Sequence, residues 1–249
     1  MTSIVRLTHA ELRKLVASRT YPTGLALSVG LAVISVAVDA ATAGKTGHAA
    51  LGTAASTNQM LKLGAVCCVA MLILGIIAAG GEYRHKTIIP ALLATPRRGA
   101  LVAAKVAGVV VAGVVLSGLT FGLGLATAVA ELSAHGMHHL PADTWRLFAG
   151  SVIAGTLFGA IGVALGYLTR STVAAIVGAV GWVLFAEQVI LHTLVPHQAK
   201  WLVSSAASAL TTPAAPGALT PAIATAVLSG YAALLLAAAT RLVLRRDVT

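Results

Sequence analysis

Residues 61–81 read Leu-Lys-Leu-Gly-Ala-Val-Cys-Cys-Val-Ala-Met-Leu-Ile-Leu-Gly-Ile-Ile-Ala-Ala-Gly-Gly, with one charge, Lys62, at the entrance. The run neither alternates in polarity, as a barrel strand would, nor breaks on proline. It is long enough as a helix to cross a ~30 Å hydrocarbon layer. Lipid offers no partner to a backbone N–H or C=O, so a run of this kind is stable there only as a helix, which bonds its own backbone.

Runs of the same kind recur. They are expected at about 23–43, 61–81, 99–130, 146–168, 172–192 and 221–243, giving an all-α, polytopic membrane protein of six spans. The chain is 58% hydrophobic and 10% charged, against about 25% charged in a soluble domain. Residues 1–21 precede the spans and read as an amphipathic interfacial helix, with Ile4, Val5, Leu12, Leu15 and Val16 on one broad face and Arg6, Arg13 and Lys14 off it. Those cations and Arg19 also interrupt any signal-peptide core. Residues 193–220, broken by Pro196, Pro213 and Pro216, are expected to dip into the membrane or lie flat rather than span it. The run 99–130 is longer than a bilayer needs and is expected to tilt or protrude.

The net charge of +10 does not point to nucleic acid, because the cations fall between apolar spans instead of on one soluble face. With the N-terminus inside, thirteen of the 17 Lys and Arg residues lie on the cytoplasmic side, and Lys45, Lys62, Arg146 and Lys200 lie outside. The positive-inside rule therefore places both termini in the cytoplasm. Abundant Ala, Gly and Val fit a GC-rich bacterial genome, and so a bacterial plasma membrane. Cys67 and Cys68 are adjacent on a helix, which disfavours a disulfide between them.

Between spans 2 and 3 lies 82–98, Glu-Tyr-Arg-His-Lys-Thr-Ile-Ile-Pro-Ala-Leu-Leu-Ala-Thr-Pro-Arg-Arg. Its apolar centre is too short to span. An apolar and basic segment of this length can anchor on lipid or dock into a groove of a partner protein. The stretch resembles the signature of bacterial ABC type-2 exporter permeases: a Glu closing the second span, Thr87 shortly after, then Leu92-Leu93-Ala94-Thr95-Pro96 and Arg97-Arg98. Lys86 departs from the Gly often found in that family. The specific likeness covers about 17 residues, and a looser one, in the order of elements, covers most of the chain. The resemblance implies a permease subunit that forms the translocation pathway and pairs with a second permease subunit, as homodimer or heterodimer. It implies a coupling helix, carried by Ile88, Pro90, Leu92, Leu93, Thr95 and Pro96, seated on a separate ABC ATP-binding subunit. Glu82 and Arg84 would anchor the start of that segment and Arg97 and Arg98 its end. ATP and Mg would belong to the partner, and no cofactor, metal or catalytic residue is assigned to this chain. The alternatives are a secondary transporter or channel without an ATPase, a membrane enzyme, and a structural membrane anchor.

Other features are weaker. Asp39 to Thr46 ends in Gly-Lys-Thr, but it lacks the first glycine and the preceding strand of a phosphate loop. Gly155, Gly159, Gly162 and Gly166 line one helix face, which suits close packing within the chain, or else a dimer or sliding face. Gly118 and Gly122 repeat the spacing. Glu187 is an acid inside an apolar run; it reads as a polar contact near the outer interface, with a pathway or gating role as the alternative. His135, His138 and His139 read as a solvated loop rather than a zinc site. No nucleophile–base pair is apparent, so the chain is not expected to be an enzyme by itself.

Overall fold

The computed structural model describes residues 2–45, 50–84, 98–136, 140–189, 199–213 and 217–245, and the described backbone is helical with short connections. The helices are α1 (Thr2–Ala17), α2 (Thr20–Thr42), α3 (Ala54–Met60), α4 (Gly64–Arg84), α5 (Arg98–Ala134), α6 (Thr144–Thr169), α7 (Thr172–Gly181), α8 (Val203–Thr211) and α9 (Pro221–Arg245). Five stretches are long and apolar enough to cross a membrane: Thr20–Thr42, Ala55–Arg84, Gly99–Ala134, Thr144–Thr169 and Pro221–Val243. A multi-pass membrane protein follows from them.

The fifth expected span, 172–192, begins as α7, enters a π-helical turn at Trp182–Ala186, and continues helically to Val189. Its apolar helix, Thr172–Ala186, is shorter than the other five. The π turn lies where Glu187 must reach a partner, a setting in which such bulges are common. At 37 residues, α5 is about 55 Å long and does exceed the hydrocarbon thickness.

Layering follows burial. In their most apolar stretches α4 and α6 are 61% and 67% buried, whereas α2 and α9 are 17% and 22% buried. Thus α4 and α6 form the centre and α2 and α9 the periphery. Glycine makes the centre possible. A Cβ on Gly162 would stand 2.3 Å from the Leu72 carbonyl oxygen, and one on Gly75 2.2 Å from the Gly159 carbonyl oxygen. The two backbones therefore touch directly, the closest approach small residues allow in lipid. Gly155 faces Ser117 of α5, Gly159 faces Met71 and Val109, and Gly166 faces the Ile76 carbonyl. All four glycines of the α6 stripe are thus consumed by packing within the chain. Among the described residues nothing lies within 4 Å of where a Cβ on Gly122 would stand, so the matching spacing in α5 makes no such close contact there.

The described part of the segment after α7 packs against α4, α6 and α9. Leu210 and Thr211, at the C-terminal end of α8, press on Gly150 and Gly64 near the starts of α6 and α4. At the other end of that segment, the Tyr231 hydroxyl, well along α9, donates to the Trp201 carbonyl at 3.3 Å.

The first helix docks differently from its apolar pattern. Leu12 and Leu15 pack on the bundle, yet Val5 and Val16 are exposed and Glu11 is buried. Depth on α1 is set by an ionic contact with α5, and the helix rolls to present Glu11.

Candidate functional site: a buried ionic clasp

Lys105 sits two turns into α5 and is 3% exposed. A lone ammonium in that position is costly unless every donor is used. All three are. The Lys105 Nζ donates to Glu11 Oε2 at 2.7 Å, to Glu82 Oε1 at 2.8 Å and to the Ala78 carbonyl at 3.2 Å. The two carboxylates are 5% and 11% exposed in their side chains. Lys14 completes the set by donating to Glu11 Oε1.

The sequence places each member simply. Glu11 and Lys14 stand three residues apart on α1, on one side of the helix. Gly108, one turn beyond Lys105, clears the approach: a Cβ there would lie 3.3 Å from Glu11 Cβ. Glu82 is in the last turn of α4. Three elements, α1, α4 and α5, are thus tied at one point. Burial alone would raise the Glu11 carboxyl; the charge and hydrogen bond of Lys105, followed by those of Lys14, outweigh it and hold Glu11 below its ordinary value. The second oxygen of Glu82 and the Tyr167 hydroxyl are buried without a hydrogen-bond partner among the described residues.

The neighbouring residue is held from the opposite side. Tyr83 meets Tyr167 edge to face at 6.3 Å, and the Arg170 guanidinium lies 5.6 Å over the Tyr83 ring. Arg170 closes the α6–α7 turn in the left-handed region, at φ 55°, where a non-glycine residue is uncommon. The end of α4 is therefore gripped through Glu82 by α1 and α5, and through Tyr83 by the α6–α7 corner.

Of the residues expected to form the coupling segment, Glu82 is in the clasp and Arg84 ends α4. Arg98 begins α5. Thr87, Ile88, Pro90, Leu92, Leu93, Thr95, Pro96 and Arg97 lie outside the described residues. Lys105, which the charge pattern places among the cations that set orientation, is instead a buried hub, and neither the apolar pattern nor the motif marks it or Glu11. The available signal was a single Lys flanked by Ala103, Ala104, Val106 and Ala107, because an isolated charge within a span needs a partner.

Glu187 is fully buried. Its Oε1 accepts from the Trp182 indole N–H at 3.0 Å and its Oε2 from the Ser204 backbone N–H at 2.7 Å. Ser204 is in the first turn of α8, so Glu187 supplies a negative charge and an acceptor to a helix N-terminus inside the bundle. The sequence expects a polar contact at the outer interface for Glu187; the structure instead places the carboxylate inside the bundle, bonded to Trp182 and to the start of α8. The His135 ring Nδ1 lies 2.9 Å from the Glu131 carbonyl; His138 and His139 lie outside the described residues.

No protein-family model matches the chain, and comparison with curated proteins finds no significant similarity.

Proposed function

We propose that this chain is the membrane-spanning subunit of an ATP-driven exporter of the ABC type-2 kind. It would cross a bacterial plasma membrane six times with both termini in the cytoplasm, taking the helical stretch from Thr172 to Val189, which rises about 27 Å, as the fifth span. It would form the pathway with a second permease subunit. Residues 85–97 would meet a separate ATP-binding subunit that carries ATP and Mg.

The observation that best supports this reading is where the clasp falls. Glu82 is three residues before that segment and Lys105 eight residues after it, and they bind one another and α1. A push delivered to the segment therefore reaches α4, α5 and α1 together instead of being absorbed in a slack loop. Hydrolysis stays with the partner, and this chain converts its movement into a rearrangement of spans. The glycine contacts of α4 with α6 carry that movement into the centre of the bundle, because two backbones in direct contact cannot slide without clash.

Purification of the full chain from its native membrane in mild detergent tests the proposal. An ATP-binding protein should accompany the wild type and be lost when residues 88–95 are replaced by a Gly-Ser stretch of equal length. A well-folded preparation that brings no such partner overturns the proposal. Transport that persists without ATP and follows an ion gradient would favour a secondary transporter instead.

A further inference from the structure

A groove of about 500 Å³ runs between α2 and α4. Its walls are apolar, formed by side chains such as Leu27, Leu31, Val66, Val69 and Ile73. At the α1 end it opens into a second hollow of about 400 Å³, and the two share Thr20, Leu74 and Ile77. The second hollow is the polar one, lined by the ionic clasp together with Lys14 and Ser18.

Length identifies the occupant class. From Thr20 to Leu31 on α2, and from Ala65 to Ile77 on α4, the apolar groove is about 16–18 Å long at the helical rise. That is about half of a ~30 Å hydrocarbon core, hence one leaflet. Charge identifies the head. Glu11 and Glu82 are buried and already engaged by Lys105; Lys14 gives one of its three N–H donors to Glu11 Oε1, and its side chain is 57% exposed, which leaves the other two toward the hollow. Arg13 and Arg19 are exposed on either side of it in sequence. The Thr20 hydroxyl makes no hydrogen bond among the described residues. An incoming head group therefore meets the Lys14 ammonium and the Thr20 hydroxyl, beside two carboxylates whose charge Lys105 and Lys14 already balance.

We propose that the α2–α4 groove is a binding site for one anionic phospholipid of the leaflet on the α1 side, with an acyl chain along Leu27–Leu31 and Val66–Ile73 and its phosphate on Lys14 and Thr20. Exposed cations on a helix at the membrane surface, here Arg13, Lys14 and Arg19, attract such head groups. The lipid fills the gap beside the most lightly packed N-terminal span and touches the clasp through Lys14, so it props α1 and α2 against α4. The proposal does not rest on the exporter reading.

The full chain is purified in mild detergent, stripped of lipid by prolonged washing, and titrated with phosphatidylglycerol or phosphatidylcholine, with bound lipid read by native mass spectrometry. One phosphatidylglycerol per chain should be retained, at a concentration about fivefold lower than phosphatidylcholine requires, the factor one Lys contributes near an anionic group. Lys14→Gln should erase that preference. Val69→Trp, which fills the groove, should remove the bound lipid, and Leu234→Trp, on the exposed face of α9, should keep it. If Val69→Trp does not elute as the wild type does, Leu27→Trp serves instead, since Leu27 is 65% exposed and needs no core space. Equal retention of the two lipids by the wild type, or unchanged retention in the groove-filled variant, overturns the proposal.

Discussion

Lys105→Met removes the hub of the clasp and keeps a straight side chain of similar reach. Glu11 still receives Lys14, but Glu82 loses the cation that its carboxylate faces in a site where its side chain is 11% exposed. Removing one partner of a buried pair costs about 3–5 kcal/mol, mostly because the remaining charge is stranded. At 1.4 kcal/mol per decade, the folding equilibrium should fall at least about a hundredfold. Cys67 and Cys68 are free and buried in α4, so a thiol-reactive fluorophore reports unfolding without any added label site. Thermal ramps in detergent should show the Lys105→Met midpoint well below the wild type. Adding Glu82→Gln should recover part of the loss, because the stranded charge is gone. The triple apolar replacement Glu11→Leu, Glu82→Leu, Lys105→Met should approach the wild type, as buried ion pairs swapped for packed hydrophobes often do. A Lys105→Met protein that unfolds with the wild type would refute the idea that this contact holds α1, α4 and α5 together.

Acid should loosen the same site. Glu11 is held below its ordinary value in the folded chain, so its contribution is complete above the unfolded carboxylate value of about 4.3 and disappears as pH falls through the lower folded value. In the same thermal assay, the gap between wild type and Glu11→Gln should be widest near neutrality and close below about pH 4. Gly162→Ala should destabilise by about 1–3 kcal/mol, because its methyl would meet a backbone carbonyl at 2.3 Å. Gly122→Ala, which meets nothing within 4 Å, should be neutral or slightly stabilising in the same measurement. Glu187→Ala should release the N-terminus of α8 and cost about 1–3 kcal/mol, read as faster proteolysis near residue 203, whereas Glu187→Gln should retain most of the protection.

Much of the fold was legible because lipid is a demanding solvent. Apolar length alone marked the five long spans, and Pro22, Pro141 and Pro221 fall at or near helix starts, where proline costs least. The weak fifth run is harder to read: composition continues smoothly from Val173 to Leu184, and nothing in it signals a π turn or that Glu187 will bond the Ser204 backbone N–H. The glycine stripe was legible as a packing face, but only the position of Leu72 and Ile76 carbonyls shows that it faces α4. The clasp was half legible. Glu82 stood out through its place in the motif. Lys105 was absorbed into a count of cations, since a charge tally registers how many lie on a side and not how deep each lies. Glu11 was hidden by its own helix, where the apolar pattern pointed to a face containing Val5 and Val16.

The length of α5 has a mechanical consequence. It is an uninterrupted helix without proline, held near one end by Lys105 and packed near its other end, where Leu132 joins Met60, Leu63 and Leu147 in a shared core. From Lys105 to Ala134 the arm is about 44 Å, so a turn of about 5° at the clasp displaces the far end by about 4 Å, most of one helical pitch. A small rocking at the clasp is therefore geared up into a shift of several ångströms at the opposite end of the helix.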